Sequence, residues 1–369
     1  MMLQCLLSLF VALPIVKEAP RGQIAFPRAH KIWVVDVETA DTQEVSDLPA
    51  YDRPLTWSPD GQRVLFWKHS EIGWNFWTVN ADGSDSLQLT TTKSGGFRSA
   101  SYSADGKHIA YMRDMPNGVY VMKSDGTDQR RLTDFGHRDF APSWSPDGDQ
   151  LLFFNLTADA ERGLKRGLYL TKTIPNTRAQ PRYLFGGHVG SFSAARNEIV
   201  AIGDSGGQGD IFVVDLGSLE ARNLTKSDRD EYSVVWSPSG DEIAFARSAG
   251  EDNLEICRIS REGDGLRVLA KVPRVSRPAV AWSPDGSHLA FLAEHNDEPA
   301  LFVLKRDGGQ PRLLAEGVRM FAWRPIASGE RANSNRRQPL RDLASEDSYT
   351  LRFRHTSALL LDVALKHWP

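Results

Sequence analysis

The chain has 369 residues, with 44 lysines and arginines against 47 aspartates and glutamates, a formal net charge of −3 and 41% hydrophobic residues. That balance excludes intrinsic disorder, and it lacks the basic surplus of a nucleic-acid-binding protein, so no nucleic-acid partner is expected. Length alone allows two or three domains, and the 30 glycines and 20 prolines announce many turns.

The chain opens on its one long apolar run, from Leu6 to Val16. At about 11 residues this run is too short to cross a bilayer. It suits the hydrophobic stretch of a secretory signal better, although Met1 to Gln4 carry no Lys or Arg and no clean cleavage site precedes Pro20. Residues 1–21 are therefore expected to be a signal peptide or N-terminal segment. The expected location is periplasmic or secreted, with the cytoplasm as the alternative. The two cysteines, Cys5 and Cys257, form no disulfide framework and no CxxC metal site.

From Gly22 onward the pattern is short strands. Gly22 to Phe26, Ile32 to Val35 and Gln43 to Ser46 read as three strands of a unit that lacks its first. A phrase then recurs. Its clearest copies are Trp57-Ser58-Pro59-Asp60-Gly61, Trp144-Ser145-Pro146-Asp147-Gly148 and Trp282-Ser283-Pro284-Asp285-Gly286. Looser copies start at Tyr102, Phe192 and Trp236, and the last is Trp323-Arg324-Pro325. The aromatic anchors lie about 44 residues apart, the length of a four-stranded propeller blade. In each unit the aromatic ends a strand and Ser-Pro-Asp-Gly makes a tight turn, with Pro presetting φ and Gly supplying a positive one. A second, alternating strand follows, such as His108-Ile109-Ala110-Tyr111. Then come a third, such as Val119-Tyr120-Val121-Met122, and a fourth ending in Leu89-Thr90, Leu132-Thr133 or Leu224-Thr225.

Met320-Phe321-Ala322-Trp323 supplies a first strand and nothing more, which is what the N-terminal unit lacks. Seven strands of each type predict an all-β, closed β-propeller of seven four-stranded antiparallel blades over residues 22–325, its last blade formed by the two ends of the array. Closure removes exposed strand edges. Six blades is the alternative, if the degenerate unit around Phe192 is not a blade. Residues 326–369 are expected to be a polar linker followed by a short tail, helical over Ser357 to Lys366.

The W-S-P-D-G turn, the I-A-F-type strand after it and the L-T strand ending resemble the repeat of the TolB-like propellers, a family related in architecture to WD-repeat propellers. The resemblance covers roughly residues 22–325. A complete TolB carries an N-terminal α/β domain, whereas about 20 residues precede the first strand here, so the resemblance implies a propeller module. In that family the propeller binds the peptidoglycan-associated lipoprotein.

Several residues invite chemistry. Gly203-Asp204-Ser205-Gly206-Gly207 fits G-x-S-x-G, but a nucleophile elbow joins a strand to a helix, and this segment aligns with hairpin loops between second and third strands. His137 and His188 occupy equivalent loops, yet no close histidine pair has ligand spacing, so no metal and no cofactor are expected. Trp67, Trp74 and Trp77 cluster in one blade as a candidate exposed patch. The remaining candidate is positional. If first strands are innermost, the residues four or five before each anchor stand at the mouth of the central funnel: Asp52 and Arg53, Arg98, Asp139, His188, Glu231, Arg277 and Arg319. The expected function is a non-catalytic, monomeric interaction module that binds a protein or peptide on this face. The alternative is a carbohydrate-active lyase or hydrolase using His188, Asp139 and Glu231.

Overall fold

The computed structural model describes residues 22–326 apart from 47–54, 71–72, 93–95, 134–138, 160, 162, 174–180 and 205–207. The N-terminal segment 1–21 with Cys5, and the expected tail from 327 to 369, lie outside the described residues.

The described residues form seven four-stranded antiparallel sheets, six of them with their strands in chain order from the inner strand outward. Blades 1 to 6 span 56–88, 97–131, 139–185, 187–223, 231–273 and 280–316. Blade 7 pairs Ala322–Trp323 with Gln23–Arg28, followed by Lys31–Asp36 and Thr42–Ser46. The unit around Phe192 is a full blade, so the array is seven-bladed. The first strands touch their neighbours all the way round, blade 1 on 2, 2 on 3, and so to 7 on 1. That contact ring makes the first strand of every blade the innermost and closes the molecule into a propeller.

Closure rests on a few residues. Ile24 lies opposite Trp323 and Ala25 opposite Ala322. The Trp57 indole donates to the Ala322 carbonyl at 3.1 Å. Arg324 donates to the Gly61 carbonyl at 2.7 Å and to Gln23 Oε1 at 2.6 Å, with its guanidinium 5.3 Å from the Trp57 ring centroid. Gly61 is required here: its φ is +68°, and a Cβ would meet the Pro325 carbonyl oxygen at 2.9 Å.

The repeated turn has a physical basis. Ser145 Oγ donates to Asp147 and accepts the Gln150 N–H, while Asp147 accepts the Asp149 N–H. Ser103 with Asp105 and Ser283 with Asp285 repeat the arrangement. Second strands depart from the expected alternation. Val64 to Trp67, Ile109 to Met112 and Leu289 to Ala293 are buried continuously, because each blade is covered on both faces by its neighbours. The Leu-Thr pairs also sit just past the outer strands rather than inside them. Their threonines accept an N–H from the first half of the third strand: Thr90 from Phe76, Thr133 from Val119 and Thr225 from Ile211.

The repeat tryptophans staple blades together. Trp144 donates its indole N–H to the Ser101 carbonyl of the preceding blade at 3.0 Å, and Trp323 to that of Ala281 at 3.2 Å. The equally buried Trp282 indole has no acceptor among the described residues. Replacing Trp144 by Phe is therefore expected to cost about 1 kcal/mol more than Trp282→Phe, since only the first loses a made hydrogen bond and orphans a carbonyl. Equilibrium denaturation of both variants checks this; equal losses would show that the indole bond contributes nothing.

Candidate functional site

Antiparallel pairing sets the face on which function can gather. The start of each first strand lies beside the end of the second strand, as in Glu231 opposite Arg247 and Gly187 opposite Gly203. The loops leading into first strands and the hairpins between second and third strands thus share one end of the ring, the mouth. The Ser-Pro-Asp-Gly turns lie at the other end. Binding residues on a rigid scaffold concentrate in such loops.

The best-defined chemistry at the mouth lies between blades 4 and 5. Asp210, at the start of a third strand, is 2% exposed and accepts from Asn223 Nδ2 at 2.6 Å and from the Ser227 N–H at 2.9 Å. Glu231, also 2% exposed, opens the blade 5 inner strand. Thr225 Oγ1 bridges the two carboxyls, 3.3 Å from Asp210 Oδ1 and 3.1 Å from Glu231 Oε2. Since it also accepts the Ile211 N–H, its single proton serves one carboxyl at a time. Glu231 Oε1 has no partner among the described residues. Burial pushes the Glu231 carboxyl up to about 7; hydrogen bonds from Ser227 and Thr225 oppose this and the Asp210 charge adds to it. The nearby Arg247 is committed to Glu255, 2.6 Å away, which Arg229 also reaches at 3.2 Å.

Beside this pair opens a polar cavity of about 430 Å³, lined by Gln208, Asp228, Asp230, Ser248, Glu255 and Lys271 among others. Asp230 accepts the Gly209 N–H at 3.3 Å and the Tyr232 hydroxyl at 3.5 Å, and Arg274 donates to that hydroxyl at 3.1 Å.

Of the residues expected at the mouth, Arg98, Asp139, His188 and Glu231 fall at the starts of four consecutive inner strands. His188 is half-buried, and Arg277 and Arg319 are exposed in the segments before the inner strands of blades 6 and 7. Asp52, Arg53 and His137 lie outside the described residues, as do the side chains of Arg98 and Asp139. Glu231 is buried, its carboxyl turned into the network with Thr225. Asp210 escaped the sequence reading. The signal was in the repeat: Asn75 holds the same place in blade 1, where its Oδ1 accepts from Thr90 Oγ1 and the Thr92 N–H.

Other candidates resolve simply. Asp204 pairs with Gly209 across a hairpin between two strands, so the G-x-S-x-G phrase does not form a strand-to-helix elbow; Ser205 to Gly207 lie outside the described residues. Trp67 is 2% exposed and packs on Phe76 in the core shared by blades 1 and 2, so the tryptophan cluster is no exposed platform. Among the described residues no group of three or more His, Cys, Asp or Glu side chains is placed to hold a metal. Among the described residues no helix is long and apolar enough to cross a membrane.

Fold and mouth together define a closed seven-bladed propeller with a polar, charged mouth. Residues 24–169 match the TolB beta propeller domain. The Tol-Pal system protein TolB of Gluconobacter oxydans (strain 621H) is 28% identical, over 47% of this chain and 47% of that protein. The chain spans about half the length of the curated relatives it matches. Among solved structures, TolB from Acinetobacter baumannii aligns with a TM-score of 0.55 at 18% identity, covering 82% of each chain. An oligogalacturonate lyase in complex with manganese aligns with a TM-score of 0.57 at 14% identity, covering 81% of this chain and 86% of that one. The structural likenesses establish the propeller fold, and the sequence similarity to TolB propellers is carried by part of the chain.

Proposed function

We propose that the chain is a non-catalytic interaction module, exported and monomeric, that binds a protein or peptide partner across its mouth. The observation that carries this reading is the closed ring of inner strands, which gathers the loops of seven blades around one axis, with exposed Arg277 and Arg319 on that rim. Arginines at a rim favour a partner surface with carboxylates, which they grip in fork geometry. The similarity to TolB supports a protein as the partner, and the apolar N-terminal run supports export.

The test is capture from envelope extract and, separately, from cytosolic extract, using the wild type and an Arg277→Glu/Arg319→Glu variant. The reading expects a partner enriched from the envelope fraction and lost on charge reversal, with the fold unchanged by circular dichroism. An unchanged set of captured proteins would remove the mouth as the binding face.

One observation favours a second reading, a propeller-fold carbohydrate-active lyase or hydrolase: the Glu231 carboxyl held near 7, a range suited to general acid–base work. Its 2% exposure opposes this, because the carboxyl as placed offers no surface to a substrate. Turnover of an oligogalacturonide by the wild type, abolished in both Glu231→Gln and His188→Ala, would favour the enzyme.

A further inference from the structure

We propose that the outer edge of blade 5 is a docking strand for an extended, acidic segment of a protein partner, which adds to the sheet as a fifth strand. The inference stands on this edge, although one of its residues, Lys271, also lines the polar cavity at the mouth. The outer strand Arg267–Pro273 runs 7 residues, whereas those of the other blades run from 2 to 5. Short outer strands are poor templates for further pairing, and natural sheets use them to keep edges unpaired. Blade 5 lacks that shortness, although a register shift at Leu269 interrupts its ladder. Its outer strand ends the sheet, so the backbone groups on its far side have no strand partner among the described residues. Leu266 and Val268 are 44% and 48% exposed there, an apolar pair beside an open ladder.

Charge selects the occupant. Between Asp264 and Asp285 the sequence has no acidic residue and four basic ones, Arg267, Lys271, Arg274 and Arg277, in a chain whose net charge is −3. Arg274 is engaged, its guanidinium 5.4 Å from the Tyr232 ring centroid. Arg267 and Lys271 are exposed and make no ion pair among the described residues. Lys271 lies directly opposite Glu255 in the ladder, but that carboxylate is held by Arg247 and Arg229, which leaves the ammonium uncommitted. A second copy would set like charges against each other, so the cations select against self-pairing. An acidic strand satisfies both the cations and the backbone. This is strand addition, in which main-chain hydrogen bonds supply affinity and alternate side chains supply specificity.

The probe is a fluorescein-labelled decapeptide of alternating glutamate and valine, with an analogue of the same sequence N-methylated at every residue, so that neither strand edge keeps a donor. Anisotropy is expected to report binding of the plain peptide, weakened at least about tenfold by Arg267→Glu/Lys271→Glu and unchanged by Lys172→Glu on blade 3. N-methylation, which keeps charge and side chains but removes backbone donors, is expected to weaken binding by a similar factor. Hydrogen exchange should slow at amides 266–272 when the plain peptide binds. Failure of the wild type to bind, equal binding of the methylated analogue, or displacement by a single-stranded oligonucleotide of equal charge would overturn the proposal.

Discussion

A chain ending at Gly317 is expected to lose cooperative folding. The segment it lacks holds Val318, Met320, Phe321 and Trp323, all buried. Each such side chain stabilises by about 1.5–3 kcal/mol on burial, together roughly 6–12 kcal/mol before allowance for a compact denatured state. A whole domain has only about 5–15 kcal/mol of net stability. The deletion also leaves Gln23–Arg28 without its inner partner and strips the Trp57 indole and the Gly61 carbonyl of Ala322 and Arg324. The proper comparison is a chain ending at Ile326, which keeps the strand. Thermal unfolding by circular dichroism should be cooperative for the longer chain and absent, or lowered by tens of degrees, for the shorter. Transitions within a few degrees of each other would mean that pairing of the two ends does not hold the ring shut.

Glu231→Gln is expected to stabilise the protein at pH 8 and to leave it nearly unchanged at pH 5. The folded carboxyl titrates near 7 against an ordinary value of 4.5. Between those values the folded state binds more protons than the unfolded one, so stability falls as pH rises through that window and levels off above it. A shift of this size corresponds to roughly 3 kcal/mol at most. Glutamine keeps the shape, cannot ionise, and offers its amide to the Asp210 side of the network. Guanidinium denaturation of both proteins at pH 5 and pH 8 isolates the effect as a difference of differences. An equal change at both pH values would show that Glu231 is not held neutral by its site.

Most of the fold was legible because the repeat has a mechanical cause. In the clear copies of the turn the serine, aspartate and glycine hydrogen-bond locally, so they mark the same position in those blades. The degenerate unit around Phe192 was still countable, because Ile199 to Ile202 keep the buried second strand. Alternation misled at those second strands, since a sequence read one blade at a time does not show the neighbour that covers the other face. The site was less legible. Spacing from the aromatic anchors found the starts of the inner strands, but it could not tell that Glu231 turns inward while Arg277 and Arg319 face water. That difference depends on Asp210 and Thr225, contributed by the preceding blade. The long outer strand of blade 5 likewise follows from pairing over Asn253 to Pro273, a register that no local motif announces.

The functional account turns on which end of the ring meets the partner. Photo-crosslinking residues at His188, Arg277 and Arg319 sample the mouth, and the same residue at Asp60, Asp147 and Asp285 samples the turns at the opposite end. The account predicts that the mouth positions form an adduct of one size in cells and that the turn positions do not. Adducts confined to the turn positions would contradict it.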